Sequence, residues 1–570
     1  MSESEQEEVR SIQRGEEVQS MEGQAALAYE RREMSHGHEE SSFEKSLEAD
    51  STAKEIAHDP LSRQSTPSYT HEKVSKPSSE DTTLPQDQEQ DVEKSAGDPG
   101  ITEVPDSYLV DWDGPDDPAN AQNWSKKKKW SNVAVLSALT FISPLASSMF
   151  APGVPQVLVD FHGSEQSVLS TFVVSVYVLG YAIGPMVIAP LSELYGRYPL
   201  YQTTNILFVI FTIACAVASN LNMLIAFRFF EGCAGSAVLA LGGGTIADLF
   251  VQSERGAAMA IWAMGPLMGP VIGPVAGGFL SQAKGWRWVF WVIAMAAGVA
   301  ATSAIFVLQE SYPAIILERK AKKLRAETGN SAYKSKYDKG LTPGALFKLS
   351  IIRPSKMLIF SPIVLALSLF MAVVYGYLYL LFTTITEVFE AEYHFSQGAV
   401  GLTFLGIGVG MFSGLMIFGG LSDWLLKRKS AGGEMKPEYR LPPMIVGTPA
   451  IPIGLFIYGW TAEKHVFWFV PIFGTALVGV GLLATFMPIQ TYLVDAFTIH
   501  AASALAANTI LRSLVGSLLP LAGPRMYATL GLGWGNSLLG FIAVAMCPIP
   551  VLLLKYGERI RTNPRFQVNF

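Results

Sequence analysis

The chain has 570 residues, 49% hydrophobic and 16% charged, with 42 Lys and Arg against 49 Asp and Glu for a formal charge of −7. Soluble domains come close to a quarter charged, so this balance excludes a large water-exposed globule and points to a bilayer as solvent. No basic domain offers a nucleic-acid footprint, and Cys215, Cys233 and Cys547 are too far apart for a disulfide framework or a metal site.

Residues 1–125 are rich in Glu, Ser, Gln, Lys and Asp, with few aromatics before Trp112. So little apolar surface cannot offset chain entropy, and a disordered, cytoplasmic N-terminal tail is expected, with enough Ser and Thr to accept phosphate. No basic start followed by an apolar core opens the chain, so the first hydrophobic span is expected to act as its own insertion signal.

From Trp130 onward the pattern becomes apolar runs near 130–151, 168–190, 199–218, 222–247, 257–280, 288–308, 357–382, 399–420, 441–460, 466–488, 501–522 and 533–554. Each holds about 20 residues, which at about 1.5 Å rise crosses a hydrocarbon core near 30 Å. Continuous apolarity fits helices, because barrel strands alternate. The reading is an all-α polytopic membrane protein with twelve transmembrane helices. A six-helix half at 126–308 is joined by a basic linker at 309–356 to a second half at 357–555, and 556–570 form a C-terminal tail.

Lys126–Lys129, Arg197, Arg255, Arg319, Lys320, Lys322, Lys323, Arg325, Lys427–Lys429, Arg440, Lys555, Arg559 and Arg561 all fall in connections on one side. Basic loops stay inside, so both termini are expected in the cytoplasm. The sequon at Asn123 then sits where glycosylation cannot reach it. The segment "APLSELYGR" ending the second span is echoed by "GGLSDW" ending the eighth, placing Glu193 and Asp423 at equivalent points. Internal duplication explains the echo, and repeats enclosing a mid-membrane site are the usual plan of secondary transporters.

Span five carries Gly265, Gly269, Gly273 and Gly277 four residues apart, with Pro266, Pro270 and Pro274 beside them and Gly278 after. Glycines at that spacing let another helix approach closely, and each proline removes a helical hydrogen bond. A kinked, tightly packed helix is expected, with the Gly-rich span eight as its partner. In the loop after span two, Glu193 can face a helix N-terminus of the other half, and Arg197 can bridge to an acid such as Asp248. The alternative is a plain surface ion pair.

Charges inside the membrane are costly unless paired or watered, and the spans contain three: Arg228, Glu231 and Arg512. Span four starts outside, which puts Arg228 about 9 Å and Glu231 about 14 Å in, on roughly one face. A proton carrier must change charge, which arginine cannot do at accessible pH, so Glu231 is the candidate by elimination. The alternative makes Arg228 a snorkelling residue and Glu231 its structural partner. Tyr177 and Tyr181 in span two, and Tyr375, Tyr379 and Phe382 in span seven, offer an adaptable aromatic lining, with Gln490 and Asn508 as hydrogen-bonding groups. Such stripes also serve plain packing.

The chain resembles the major facilitator superfamily, and within it the fungal twelve-span drug:proton antiporters of the caffeine and fluconazole resistance type. The resemblance covers about residues 108–560 and rests on "DWDGPDDPANAQNWS", "PLSELYGR", "RFFEGCAG", "GGGTIADL", "GPVIGPVAGG", "QESYPAIILERKAKKLR" and "PEYRLP". It implies a fold of two pseudo-symmetric six-helix halves. It also implies an antiporter motif at Gly269, Gly273, Pro274, Gly277 and Gly278, and a conformational latch at Glu193, Gly196, Arg197, Asp248 and Asp423. Arg228 matches the family's fourth-span arginine, tied there to proton coupling.

No catalytic constellation and no phosphate-cradling "GxxxxGK[ST]" loop is found, so neither an enzyme nor direct ATP drive is expected. The expected function is proton-coupled export of small organic compounds such as drugs, toxins or secondary metabolites. No cofactor or metal is required, and a monomer in the plasma membrane, or else the vacuolar membrane, is expected. The competing readings are a proton-coupled uptake carrier, a polyamine exporter and a non-transporting receptor or scaffold.

Overall fold

The computed structural model describes residues 108–161, 168–251, 254–338, 340, 342–430, 436–563 and 566. Helices α1 (Lys126–Ser148), α2 (Val168–Tyr195), α3 (Arg197–Ala216), α4 (Leu221–Leu249), α5 (Arg255–Lys284) and α6 (Arg287–Val307) make the first half. Two linker helices, Pro313–Thr328 and Pro343–Phe360, lead into α7 (Pro362–Ala391). The second half continues with α8 (Leu405–Ser430, after a short helix at Gln397–Thr403), α9 (Ala450–Glu463, after a short helix at Pro442–Gly447), α10 (Phe469–Phe497), α11 (Ala501–Leu518), α12 (Gly523–Met546) and α13 (Pro548–Thr562).

Among the described residues eleven helical stretches are long and apolar enough to cross a membrane, and one of them, Ala501–Thr562, runs for 62 residues. At about 1.5 Å per residue that is roughly 93 Å, three bilayer cores, so it cannot be one pass. Gly531, at φ 76° and ψ 174°, breaks it. Before the break Gly523 lies against Leu380 and Thr384 of α7; after it Gly459 meets Asn536 and Gly540 meets Phe456, so the chain now runs antiparallel to α9. The molecule is therefore an all-α protein of twelve passes. Only glycine adopts this backbone conformation freely, and the Glu463 carboxylate also receives the Gly533 N–H at 2.6 Å.

Each half has its own apolar core. In the first, Phe150, Tyr177, Phe290 and Trp286 are fully buried; in the second, Phe370, Tyr377, Tyr458 and Tyr492 are. The second cluster reaches across to Val178 of α2 and Val271 of α5, where the halves meet. Large side chains such as Phe306, Val299 and Phe541 stay exposed on the outside, which suits a helix surface solvated by lipid tails.

The tail expected to be disordered through residue 125 is instead folded from Tyr108 onward; residues 1–107 lie outside the described part. Leu109–Val110 pairs in parallel with Lys334–Ser335 of the linker. Lys320 Nζ donates to the Asp111 carbonyl at 3.0 Å and to Asp113 Oδ1 at 2.6 Å, and Lys336 Nζ donates to Asp111 Oδ2 at 2.6 Å. Buried Asp117 accepts from the backbone of Asp113 and Ala119, and the Asn123 amide donates to the carbonyls of Pro115 and Asp117. Composition averaged over the whole tail hides this segment, whose polar side chains tie its own turns together and whose Val110 is buried.

This clasp fastens the chain before α1 to the linker between the halves. The Lys336 hydrogen bond, then that of the Trp112 N–H, holds the Asp111 carboxyl below its ordinary value. A depressed carboxyl keeps its pairing at neutral pH and gives it up only as pH falls below the ordinary carboxylate range. Lys320→Glu is expected to speed amide exchange at 108–113 and 334–336 together while α1–α6 stay protected. Gly531→Val is expected to cost about 1–3 kcal/mol through backbone strain and lower the melting temperature in detergent.

Candidate functional site

Arg228 and Glu231 lie on adjoining turns of α4, both fully buried, with Arg228 Nη1 3.1 Å from Glu231 Oε2. Arg228 also donates to the carbonyls of Ala146 (2.9 Å), Ser147 (3.1 Å) and Val173 (3.4 Å). Ala146 and Ser147 belong to the last turn of α1, whose carbonyls have no partner within their own helix and carry its partial negative charge. The guanidinium faces the Tyr177 ring at 4.6 Å, with Phe150 and Phe290 beyond. Glu231 accepts from Thr212 Oγ1 at 2.9 Å and from Cys215 Sγ at 3.7 Å, both on α3. One charge pair thus ties α1, α2, α3 and α4 together, and in this conformation no water reaches it.

The glycine stripe of α5 faces α1 rather than the expected span eight. A Cβ on Gly265 would come within 2.9 Å of Phe141 N, one on Gly269 within 2.8 Å of Leu145 N, and one on Gly277 would overlap the Met149 carbonyl; Gly273 lies against Ser148 and Met149. Residues four apart share a face, so these four address one neighbour. Gly278, one position round the helix, meets Gln397 and Gly401 before α8, and there the expected contact exists. Pro274 is buried between the two surfaces.

The aromatic candidates divide between the core of the first half and the seam between the halves. Tyr177 and Tyr181 are buried and both reach Ser143 Oγ, at 3.2 and 2.7 Å. Tyr379 Oη crosses the seam to Ser147 Oγ at 3.2 Å. Its ring lies 5.1 Å from Tyr375 and 5.5 Å from Phe382. Arg512 of α11 sits over Tyr375 at 4.7 Å and Phe486 at 5.4 Å. Asn508, one turn earlier, is fully buried, whereas Gln490 is half-buried on α10. Toward the far end, Gln156 Nε2 reaches Gln397 Oε1 at 2.7 Å and Gln282 accepts the Gly398 N–H at 2.9 Å, fastening the halves there. A small crevice opens beside Ser143 within the first half, lined by Asn205, Phe208 and Gly235.

At the basic end Arg197 Nε lies 3.4 Å from Asp248 Oδ2, joining the start of α3 to the end of α4. Gly196 takes φ 101° between α2 and α3. The carboxylate over a helix N-terminus is that of Glu310, which accepts from the N–H groups of Arg197 and Tyr198 at 3.0 and 3.3 Å. Glu193 is half-buried at the end of α2; burial first, and then the Glu193 carboxylate, push the Tyr312 phenol up from its ordinary value. All these groups belong to one half and its exit. The second half repeats the plan with Arg440 on Asp495 (2.9 Å) and Glu438 on Arg561 (3.3 Å). Asp423 lies on α8, and its side chain falls outside the described residues.

Sequence reasoning missed Glu310, Thr212, Ser143 and Ser147. Glu310 carried a signal, being an acid at the exit of a membrane span. The three hydroxyls carried none, since small polar residues are common in such helices.

Two repeats of six helices, a charge pair in their midst and a glycine-packed seam define a polytopic membrane transporter. Residues 136–520 match the Major Facilitator Superfamily. The MFS-type transporter penM of Penicillium rubens is 60% identical over 468 residues, covering 82% of this chain and 92% of penM. The efflux pump radE of Floropilus chiversii is 55% identical over 466 residues, covering 81% and 86%. The partially occluded, inward-open xylose transporter XylE of E. coli superposes with a TM-score of 0.58 at 16% identity, over 76% of this chain and 98% of that one. The chain belongs to the major facilitator superfamily and is a multi-pass membrane transporter.

Arg228→Ala is expected to cost about 3–5 kcal/mol, because it strands a buried carboxylate and the α1 carbonyls together; a thermal melt in detergent reads it. Gly277→Leu should abolish folded yield, whereas Gly243→Ala, with its nearest side-chain atom 3.7 Å from the added Cβ, should be silent.

Proposed function

We propose that this transporter exports small organic compounds in exchange for protons by alternating access. The observation that carries the reading is Glu231, a lone carboxylate in the membrane core, held by Arg228, Thr212 and Cys215 where α3 and α4 meet. A group so placed is stable charged only while its partners surround it. A rearrangement within the first half that accompanies rocking and loosens α1 from Arg228 changes the environment of Glu231 and hence its affinity for a proton. A relative named as an efflux pump, radE, favours the outward direction.

In this reading the basic end faces the cytoplasm, and the Gln156–Gln397 and Gly278–Gly401 contacts close the opposite side. Glu231 takes a proton from the outer compartment, the halves rock, and release inside accompanies capture of the compound. The aromatic seam of Tyr375, Tyr379 and Phe382 receives it by shape and apolar contact. The plasma membrane, or the vacuolar membrane, supplies the gradient.

In proteoliposomes with an imposed ΔpH, the intact protein is expected to concentrate a fluorescent organic dye against its gradient. Glu231→Gln should lower that concentrative transport about tenfold or more and leave downhill dye exchange. Unchanged ΔpH dependence in the variant would remove Glu231, and with it this mechanism.

A further inference from the structure

The charge balance of the two halves differs. In the first, Arg228 and Glu231 neutralise each other. The stretches 362–386, 397–422, 441–462, 469–494, 501–524 and 532–554 of the second half contain no Asp or Glu, and Arg512 is their one charge. Arg512 lies about 17 Å along its pass, too deep for a surface ion pair. Among the described residues it has no carboxylate partner; its guanidinium rests on the faces of Tyr375 and Phe486, and its Nε is buried without an acceptor.

Asn508, four residues earlier and so on the same face, is fully buried with both Nδ2 and Oδ1 lacking a partner. Ser513 and Ser517 Oγ are also buried and unpartnered, on another face of the same helix. A polar group of this kind is ordinarily satisfied, and a side chain with both its amide atoms orphaned is rare enough to demand a partner that is absent. The position is also where a ligand would lie. A Cβ on Gly516, one turn beyond Arg512, would come 2.9 Å from the Tyr375 ring and 3.5 Å from Val178, so this face of α11 meets α7 and the α2 of the other half.

We propose that Arg512 and Asn508 form the polar anchor of the transport site and take an organic anion: a carboxylate or ionised phenol carried on a flat apolar frame. Arg512 donates to the anionic oxygen and Asn508 Nδ2 donates beside it, while Asn508 Oδ1 accepts a hydroxyl of the ligand. Tyr375, Tyr379, Phe382 and Phe486 cover the frame. A lone cation in this low-dielectric seam is stabilised by an anion and repels a cationic compound. The proposal rests on the export reading for the direction of flux only, since binding can be measured without it.

The test compares fluorescein with tetramethylrhodamine methyl ester, which share a xanthene frame but carry opposite charge. Binding to the full chain in lipid nanodiscs is read by fluorescence anisotropy. The intact protein is expected to favour fluorescein about tenfold or more, the worth of a charge-assisted hydrogen bond. Arg512→Gln should erase the preference and Arg512→Lys should keep part of it. Asn508→Asp places a built-in anion against Arg512, so it should raise the thermal midpoint while abolishing fluorescein binding, which separates occupancy of the site from loss of fold. Equal binding of the two dyes, binding of neither, or a preference untouched by Arg512→Gln and Asn508→Asp overturns the proposal. Fluorescein bound through Arg512 but never moved by a ΔpH would instead leave the anion site standing and remove the export reading.

Discussion

A guanidinium held in hydrocarbon has to be met by acceptors on every side, because water is not there to do it. Arg228 meets that demand with the last-turn carbonyls of α1, a carbonyl of α2, the Tyr177 ring and the Glu231 carboxylate. Four helices are thereby brought to one point. The arrangement also decides what the molecule can do: an ion pair whose acceptors come from separate helices is sensitive to any motion between those helices, so its charge state and the shape of the bundle are coupled.

The glycine seam supplies the complementary property. Helices in lipid gain no hydrophobic drive by associating, so close approach has to come from small residues and van der Waals contact. The stripe on α5 lets α1 lie against it backbone to backbone, and Gly278 does the same for the segment before α8. These contacts are extensive yet carry few hydrogen bonds, so they can slide or part without stranding polar groups. Between the halves, the polar bridges from Ser147 to Tyr379, from Gln156 to Gln397 and from the Gly398 N–H to Gln282 each involve a side chain that can find other partners.

Outside the membrane core a second pattern repeats. In each half an Arg at the start of the third helix is paired with an Asp at the end of the fourth, and a charged side chain of the segment that leaves the sixth reaches back to the start of the third. The duplication visible as "APLSELYGR" and "GGLSDW" is thus present as a repeated charge scaffold, though with the sign of the outer contact exchanged: Glu310 acts from the exit in the first half, whereas Arg561 acts from the exit in the second.

The number of passes, their helical nature, the two halves and the identity of the buried charges all followed from local composition, because a bilayer imposes its length and polarity on each span separately. Glycines four apart announced a close helix contact for the same reason. Which helix meets the four-spaced face did not follow: span eight was expected, and it packs on the neighbouring edge of α5 at Gly278 while α1 takes the stripe, since spacing fixes a face but not the neighbour that face meets. In the same way Arg228 and Glu231 were legible as a pair, whereas Thr212, the α1 carbonyls and the capping role of Glu310 depend on elements that converge only when the bundle closes. The fold of 108–125 against the linker, the reversal at Gly531 and the isolation of Arg512 beside an unpartnered Asn508 belong with them. Each is a relation between distant segments, and only tertiary packing brings such segments within hydrogen-bonding reach.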